Sequence, residues 1–580
     1  MRWLRFSHSG GANPRRLLRD RGCGSCSPCL IGPGASGKTT IVDAIDLCLG
    51  ARRNVTFGDT DFFALDVTHP IQITLTLGRL PDALKDLDAY GHYLQAFDVA
   101  TGILHEEPQQ GLETVLTLRL TVDSELEPAW TLVFQRAQAL GLERNIAWKD
   151  RVALAPARLG TYAGSNLSGT RGSVLNRLSE ERPNLGAELA NAARQARANF
   201  GNLAGAQLAE TLQIVTQKAT ALGVPVGAQA QAQALLDAHS VSISDGAIAL
   251  HDDRGVPLRS LGTGSSRLLV AGLPRAAAQR ASIALVDEVE YGLEPHRLVR
   301  LLNDLGAKEN PPPLQAFLTT HSPVAVRELS GEQIFVVRKE LDGAHRVRVV
   351  GVDDDVQSTI RLDREAFLAR SVIVCEGASE VGFVRGLDQC WTQAIERSLL
   401  AAGTSYVNVG GGEPDRCLVR GKALRKLGCR VLVLVDADKP PTPAAVQAYE
   451  ALGGEWITWR QGRALEDELF LSLPDVAVDQ LLQRAVDWLD EELVAAHIQT
   501  QSNGQVTLAN IRAQQQLGHA YPPNVRQTLG LASRNRRNSW FKSVTKFEAL
   551  AKEIVGPHLA TSEAGFLALI ERLYRWAHAA

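Results

Sequence analysis

Residues 30–40 read LIGPGASGKTT and carry the pattern G-x-x-x-x-G-K-[ST] at Gly32, Gly37, Lys38 and Thr39. A short apolar stretch precedes the pattern, and the helix-forming run TTIVDAIDLCLG follows it. Glycines at a strand-to-helix junction let backbone N–H groups wrap a phosphate. Lys38 would reach the β- and γ-phosphates of a bound ATP, and the Thr39 hydroxyl would ligate Mg2+. Gly34 and Thr40 complete the expected contact set. The strand–loop–helix context separates this pattern from a chance match.

The rest of an ATPase should then follow in the chain. ASIALVDEVEYGLEPH is an apolar strand ending in Asp287 and Glu288. Asp287 would hold the metal through water, and Glu288 would orient the attacking water. Upstream, LRSLGTGSSRLL is a Gly/Ser turn opening a helix, with Gly262, Gly264 and Ser265. Free N–H groups at a helix start suit a γ-phosphate. Downstream, the strand in FLTTHSPVAV ends at His321, placed to sense that phosphate. Four elements in this order resemble the ABC-type ATPase head of SMC- and RecF-like proteins. That resemblance implies two heads sandwiching ATP, so a homodimer or higher homo-oligomer, with the Gly262–Ser265 turn serving the partner's nucleotide. Residues 178–240 are rich in Ala, Gln, Glu and Arg at helical spacing. They predict a helical hairpin for dimerisation or DNA contact, or an ordinary pair of core helices.

Composition limits the alternatives. With 580 residues, two to four domains are expected. A net charge of −3 means that any nucleic-acid surface is local. Eight cysteines in so long a chain form no disulfide framework and fit a reducing cytoplasm. No run reaches the roughly 20 apolar residues of a membrane span. Residues 1–29 read as an irregular, basic leader without a strand. Its Cys23, Cys26 and Cys29 lack a fourth metal ligand and are expected to be incidental thiols.

The second half repeats the device of acidic strand ends. RSVIVCEGASEVGF is a strand ending at Glu376, then a helix carrying Glu380. SYVNVGGGEP is a strand ending in glycines, and CRVLVLVDADKPPTP a strand ending in Asp436 and Asp438. The strand EWITWR and then Glu466 come after one more helical run. Alternation of strands and helices predicts a small parallel sheet, with active residues at its carboxyl ends. Alternation along a strand would point Asp436 and Asp438 to one side. Oxygen ligands without His or Cys suit Mg2+ or Mn2+. Glu376, Asp436 and Asp438 are the expected ligands, with Glu380 and Glu466 as second-site candidates.

A Glu after one strand and Asp-x-Asp after a later one resemble the TOPRIM domain. Glycosyltransferases and HAD phosphatases also use Asp-x-Asp. A HAD enzyme wants it on its first strand, and a glycosyltransferase leaves the ATPase motifs unexplained. An ATPase head followed by TOPRIM resembles the OLD family of ATP-dependent endonucleases, which includes the nuclease subunit of the Gabija defence system. The fold class implied is α/β. Its parts are a leader at 1–29, a head at 30–340, a connecting segment at 341–365, a TOPRIM domain at 366–475 and a helical region at 476–580. The resemblance implies metal-dependent cleavage of DNA, a role in defence against phage or foreign DNA, and a late lysine near the metals. Lys542 is the choice, with Lys546 behind it, in a basic tail (Arg534, Arg536, Arg537) around Trp540 and Phe541. A phosphate-tracking patch or a solvated helix end are the alternatives there. The resemblance also allows a helicase-type partner protein. The competing reading is an SMC/RecF-like ATPase for DNA repair or maintenance whose TOPRIM domain holds DNA without cutting it.

Overall fold

The computed structural model describes residues 27–580 other than 52–54, 135–138, 140, 143, 160–185, 223–231, 233, 235–249, 277–282, 310–311, 313, 341–342, 353, 396–397, 536 and 580. It also gives the backbone of 4–8 and 15–17. The chain divides into two units. One comprises 1–4, 21–27 and 42–318; the other comprises 5–20, 28–41 and 319–580.

The leader contains an antiparallel pair, β1 (Leu4–His8) and β2 (Arg15–Leu17), with Phe6 opposite Leu17. The expectation of a strandless leader is therefore corrected. Leu4 and Phe6 alternate with Arg5 and Ser7, the two-residue period of a strand, beneath an Arg-rich composition that obscures it. Cys29 is also reassigned, because it is wholly buried in β3 (Cys29–Ile31). Cys23 and Cys26 lie outside the described residues. The phosphate loop runs from β3 into α1 (Lys38–Leu49). Ile41, Val42, Ile45, Cys48 and Leu49 are buried on α1 at intervals that return to one helix face.

The first unit holds an antiparallel sheet of β4 (Ile71–Leu77), β5 (Leu94–Asp98), β6 (Ile103–His105), β7 (Glu113–Val122) and β8 (Pro128–Leu132). β7 is central, pairing with β4, β5 and β8. Its Leu116, Leu118, Leu120 and Val122 are fully buried, every second residue, as a sheet with one face on a core requires. After α2 (Trp148–Leu154), β9 (Ala157–Leu159) brings Arg158 onto two carboxylates of α1, Asp43 and Asp46.

The arm residues form α3 (Gly186–Gln207) and α4 (Ala209–Ala221). Leu208 N–H donates to Ala204 O at 2.8 Å, and Leu212 N–H donates to Leu208 O at 2.9 Å. The helical bonding pattern thus crosses the junction, and 186–221 is one interrupted helix. Most of the residues in which a return arm would begin, 223–231, lie outside the described residues. Next come α5 (Thr263–Ala276), β10 (Ile283–Val286), α6 (Pro295–Asp304) and β11 (Gln315–Thr319). β9, β10 and β11 are parallel neighbours. β10 and β11 are buried at every position, the signature of a sheet covered on both faces.

In the second unit, α7 (Pro323–Glu328) leads to β12 (Ile334–Lys339) and β13 (His345–Val349). β12 runs parallel to β3 and antiparallel to β13. After α8 (Asp354–Leu362) come β14 (Ser371–Cys375), α9 (Ala378–Ile395), β15 (Thr404–Asn408) and α10 (Asp415–Lys426). β16 (Arg430–Val435), α11 (Pro443–Glu450) and β17 (Glu455–Thr458) follow. These strands form the expected parallel sheet, in the order β15-β14-β16-β17. The chain ends in helices α12 (Leu465–Ser472), α13 (Asp475–Trp488), α14 (Glu491–Gln501), α15 (Leu508–Gln516), α16 (Pro523–Ser533), α17 (Val544–Leu550) and α18 (Ala564–His578). Phe383, Trp459, Phe470, Trp540, Phe541, Phe547 and Phe566 share one core with the sheet. Among the described residues no helix is long and apolar enough to cross a membrane.

Two glycines on α9 decide where the late helices sit. A Cβ on Gly382 would lie 2.3 Å from Val544 O, and one on Gly386 would lie 2.3 Å from Glu548 O. α17 therefore packs backbone-to-backbone on α9 through a G-x-x-x-G groove. Gly386→Ala is expected to lower the melting temperature. The overpacking cost of about 1–3 kcal/mol exceeds the helix-propensity gain of about 1 kcal/mol. Gly205→Ala, on α3 where nothing lies within 4 Å of the new methyl, is expected to do the opposite. Differential scanning fluorimetry of the two variants checks both signs.

Candidate functional site

The phosphate loop closes on its own lysine. Lys38 Nζ donates to Gly32 O at 3.1 Å, Pro33 O at 2.8 Å and Ser36 Oγ at 3.4 Å, and the residue is buried. Gly32 has φ +144°, and a Cβ there would lie 2.4 Å from Val337 O, so the loop lies directly on β12. Gly34 is exposed at the loop's crest, and Thr39 and Thr40 are exposed in the first turn of α1. That turn carries no acidic residue, which leaves the positive end of the helix dipole open to an anion. Thr320 N–H donates to Leu30 O at 3.2 Å, which holds exposed His321 beside the strand feeding the loop.

In the first unit, Asp287 and Glu288 follow β10, and Gly262, Gly264 and Ser265 surround the start of α5. Glu288 has φ +47°. A non-glycine residue in this left-handed region costs roughly 1–2 kcal/mol, and such outliers gather at functional positions. Arg267, 1% exposed on α5, holds the strained turn by donating to Asp287 O and, at 2.6 Å, to Glu288 O. Arg297 on α6 donates to Ser265 Oγ at 3.2 Å. Arg267 thus fastens α5 to the carboxylate turn, and Arg297 ties Ser265 to α6. Sequence reasoning missed both, although Arg267 sits two residues after Ser265 in GSSRLL.

The acidic residues of the second half meet at the carboxyl edge of the four-stranded sheet. Glu376 directly follows β14, and its Oε2 accepts from Asp436 N–H at 3.1 Å. Asp436 Oδ1 accepts from Leu465 N–H at 3.1 Å, the first turn of α12. Glu380 Oε2 bonds back to Gly377 N–H at 2.8 Å, in the first turn of α9. Glu466 is buried at the start of α12. The reason expected for the Asp436–Asp438 pairing is corrected: β16 ends at Val435, so both aspartates lie in the following turn, beyond strand alternation. Asp436 turns inward, while Asp438 pairs with Arg534, which also holds Asp467.

Their electrostatics show negative charge gathered with little to balance it. Burial lifts Asp436 well above the usual carboxylate range, and the charges of Glu380, Glu466, Glu376 and Asp438 lift it further. Burial, then Glu466 and Glu376, push Glu380 up to about 7. Burial also lifts Glu376 and Glu466, against an opposing pull from Lys542 on each. Exposed Lys542 therefore stands close to the cluster. Lys546 does not serve it: its Nζ donates to Trp540 O at 3.1 Å and lies 5.5 Å from the Trp488 ring. Trp540 and Phe541 are wholly buried, so they offer no stacking surface to a nucleic acid. Arg536 lies outside the described residues. Among the described residues, no three His, Cys, Asp or Glu side chains stand together as a ready metal shell. Four of these carboxylates are instead turned onto N–H groups or Arg534.

Residues 29–327 match the family model AAA_21, described as "AAA domain, putative AbiEii toxin, Type IV TA system". The chain belongs to this family. Its AAA-type ATPase domain thus runs from β3 into α7 and carries the expected ATP-binding loop. No curated protein matches the AAA_21 chain. Among solved structures it is similar to an SMC head bound to the C-winged helix domain of ScpA. That match has 14% identity, covers 60% of this chain and 97% of that one, and has a TM-score of 0.34. It is also similar to Stu0660 of Streptococcus thermophilus, at 7% identity over 62% of this chain and 85% of that one, with a TM-score of 0.28. Both are loose superpositions.

The buried carboxylates make stability depend on pH in a defined direction. Unfolded Glu380 loses its proton near the ordinary value of 4.5, whereas the folded protein keeps it to about 7. The folded state binds the extra proton in that window, so stability falls as pH rises through it. In EDTA, the melting temperature is expected to drop between pH 4.5 and 7. Glu380→Gln should flatten that drop, by on the order of 3 kcal/mol in stability. Thermal melts of both proteins across pH 4.5–8 check it.

Proposed function

We propose that this chain is an ATP-binding, metal-dependent DNA endonuclease of the OLD type, acting as a homodimer in defence against phage or foreign DNA. The observation that carries the reading is the convergence of Glu376, Glu380, Asp436 and Glu466 at one sheet edge, with Lys542 beside them. Buried carboxylates that raise one another's proton affinity fit a divalent cation better than they fit any arrangement of the protein alone. The donors are all hard oxygens, so Mg2+ or Mn2+ suits them.

Glu376, Asp436 and Asp438 would hold one such ion, and Glu380 and Glu466 a second. Bound there, the metal supplies a water nucleophile at neutral pH and charge stabilisation for the leaving oxygen. Lys542 remains exposed and can bind a phosphate oxygen of the substrate strand, offsetting charge that grows during cleavage. In the ATPase domain, Lys38 and the loop amides bind the β- and γ-phosphates, and Thr39 and Asp287 hold Mg2+. Glu288, fixed by Arg267, orients water, His321 senses the γ-phosphate, and Gly262–Ser265 serves the partner's nucleotide.

One contact favours a second reading, DNA binding without cutting. Arg534 neutralises Asp438, a carboxylate that cleavage would need for metal. Plasmid nicking with Mg2+ or Mn2+ separates the two readings. Wild type is expected to nick, and Asp436→Asn to lose at least about 100-fold of the rate while still binding DNA, as removal of a metal ligand does. An Asn variant that cuts at the wild-type rate overturns the metal assignment. Independently, Lys38→Ala is expected to abolish ATP binding. Glu288→Gln should retain bound ATP with hydrolysis slowed at least about 100-fold, both read by filter binding and phosphate release.

A further inference from the structure

One hairpin touches both machines of the second unit. On its first strand, Val337 O lies against Gly32 of the phosphate loop. On its second strand, His345 Nδ1 lies 2.7 Å from Ser36 O. A carbonyl can only accept, so Nδ1 carries the proton and donates. A Cβ on Gly37 would lie 3.1 Å from the same ring nitrogen. Both glycines of the phosphate-binding pattern thus rest on β12 and β13.

The same stretch of the hairpin also grips the acidic sheet. Arg338, buried on β12 next to Val337, donates to Ala369 O, to Arg370 O at 3.3 Å, to Phe367 O at 3.3 Å and to Cys429 Sγ at 3.2 Å. Ala369 and Arg370 immediately precede β14, and Cys429 immediately precedes β16. One guanidinium therefore fastens the starts of the two strands whose far ends carry Glu376 and Asp436. β14 and β16 are paired over five residues, from Ser371↔Arg430 to Cys375↔Leu434. On β13, Arg348 adds a contact at the Gly428 turn before β16 and an ion pair to Glu340 within the hairpin.

We propose that the β12–β13 hairpin links nucleotide at the phosphate loop to the position of the carboxylate cluster, with His345 as the positioning residue on the loop side and Arg338 on the sheet side. Phosphates drawing the loop amides toward themselves reorient the 36–37 peptide that His345 holds. The ladder from Phe335↔Val349 to Lys339↔His345 carries that change into β12. Arg338 passes it to β14 and β16 as a shift along paired strands. A ligand moves an equilibrium only through contacts that differ between states, and the His345–Ser36 bond is such a contact. The proposal rests on the nucleotide reading of the loop and is independent of cleavage.

Amide hydrogen exchange on the full chain tests it, with saturating ATPγS and Mg2+ against Mg2+ alone. Wild type is expected to change exchange at 371–376 and 430–436 when nucleotide binds. His345→Ala should bind nucleotide about fivefold more weakly, the worth of one ordinary hydrogen bond, and lose that change even at saturation. His345→Asn, which can present an N–H near the same place, should restore both. Arg338→Lys should bind nucleotide like wild type, melt within a few degrees of it without nucleotide, and lose the exchange change. A wild-type response that persists in saturated His345→Ala and Arg338→Lys overturns the link, as does saturated wild type with no response at these strands. Failure of wild type to bind nucleotide overturns the nucleotide reading itself, and the proposal with it.

Discussion

The second unit is organised around a cluster of carboxylates whose burial favours their protonated forms. Carboxylates taken out of water prefer to hold protons, and here several are taken out of water together. The compensation available is mostly backbone. Asp436 N–H, Leu465 N–H and Gly377 N–H each donate to one of the acids. Two of the acids, Glu380 and Glu466, lie in first turns of helices, where the dipole is positive. Parallel strand order produces this arrangement, because it brings every strand's carboxyl end, and every following helix's amino end, to one edge. Arg534 and Lys542 then arrive from the late helical region. The sheet, the helix starts and the C-terminal docking are parts of one solution to one electrostatic problem.

The ATPase motifs solve a milder problem by different means. The phosphate loop carries no acid and turns its carbonyls onto Lys38, so it presents a positive surface to a negative ligand. The Asp287–Glu288 turn is instead held in a strained backbone by a buried arginine. The first site is shaped by glycine and a close strand, the second by a side chain spanning two elements. Substitutions will therefore fail differently at the two places. Side chains added at Gly32 displace β12, whereas loss of Arg267 releases Glu288 to an ordinary backbone conformation.

Much of this was legible because local chemistry and topology agree. Apolar runs ending in Asp or Glu became strand ends, the helical stretches between them became crossover helices, and Lys542 falls beside the acids while Lys546 does not. The readings that changed concern quantities that sequence spacing does not carry. Asp436 and Asp438 are one residue apart, but where β16 stops decides whether alternation applies to them. Trp540 and Phe541 stand among arginines in the chain, and core packing claims both rings. Arg-rich composition hid the β1–β2 pair. Arg267, Arg297 and Arg534 are ordinary basic residues in one dimension. Their partners lie 20 or more residues away along the chain, or, for Arg297 and Ser265, 32.

The α9 groove at Gly382 and Gly386 also bears on the order in which the protein comes into being. α17 cannot lie down on α9 until residues 544–550 exist, and Lys542 stands two residues before α17. Lys542 leaves the ribosome 104 residues after Asp438 (542 − 438), about 5–20 s later at ordinary rates of synthesis. Through that interval the acidic edge can be folded while its late cations are still missing. A growing chain therefore carries the acidic edge for a time without the cations that face it in the folded protein, and its carboxylates hold their protons more tightly in that interval.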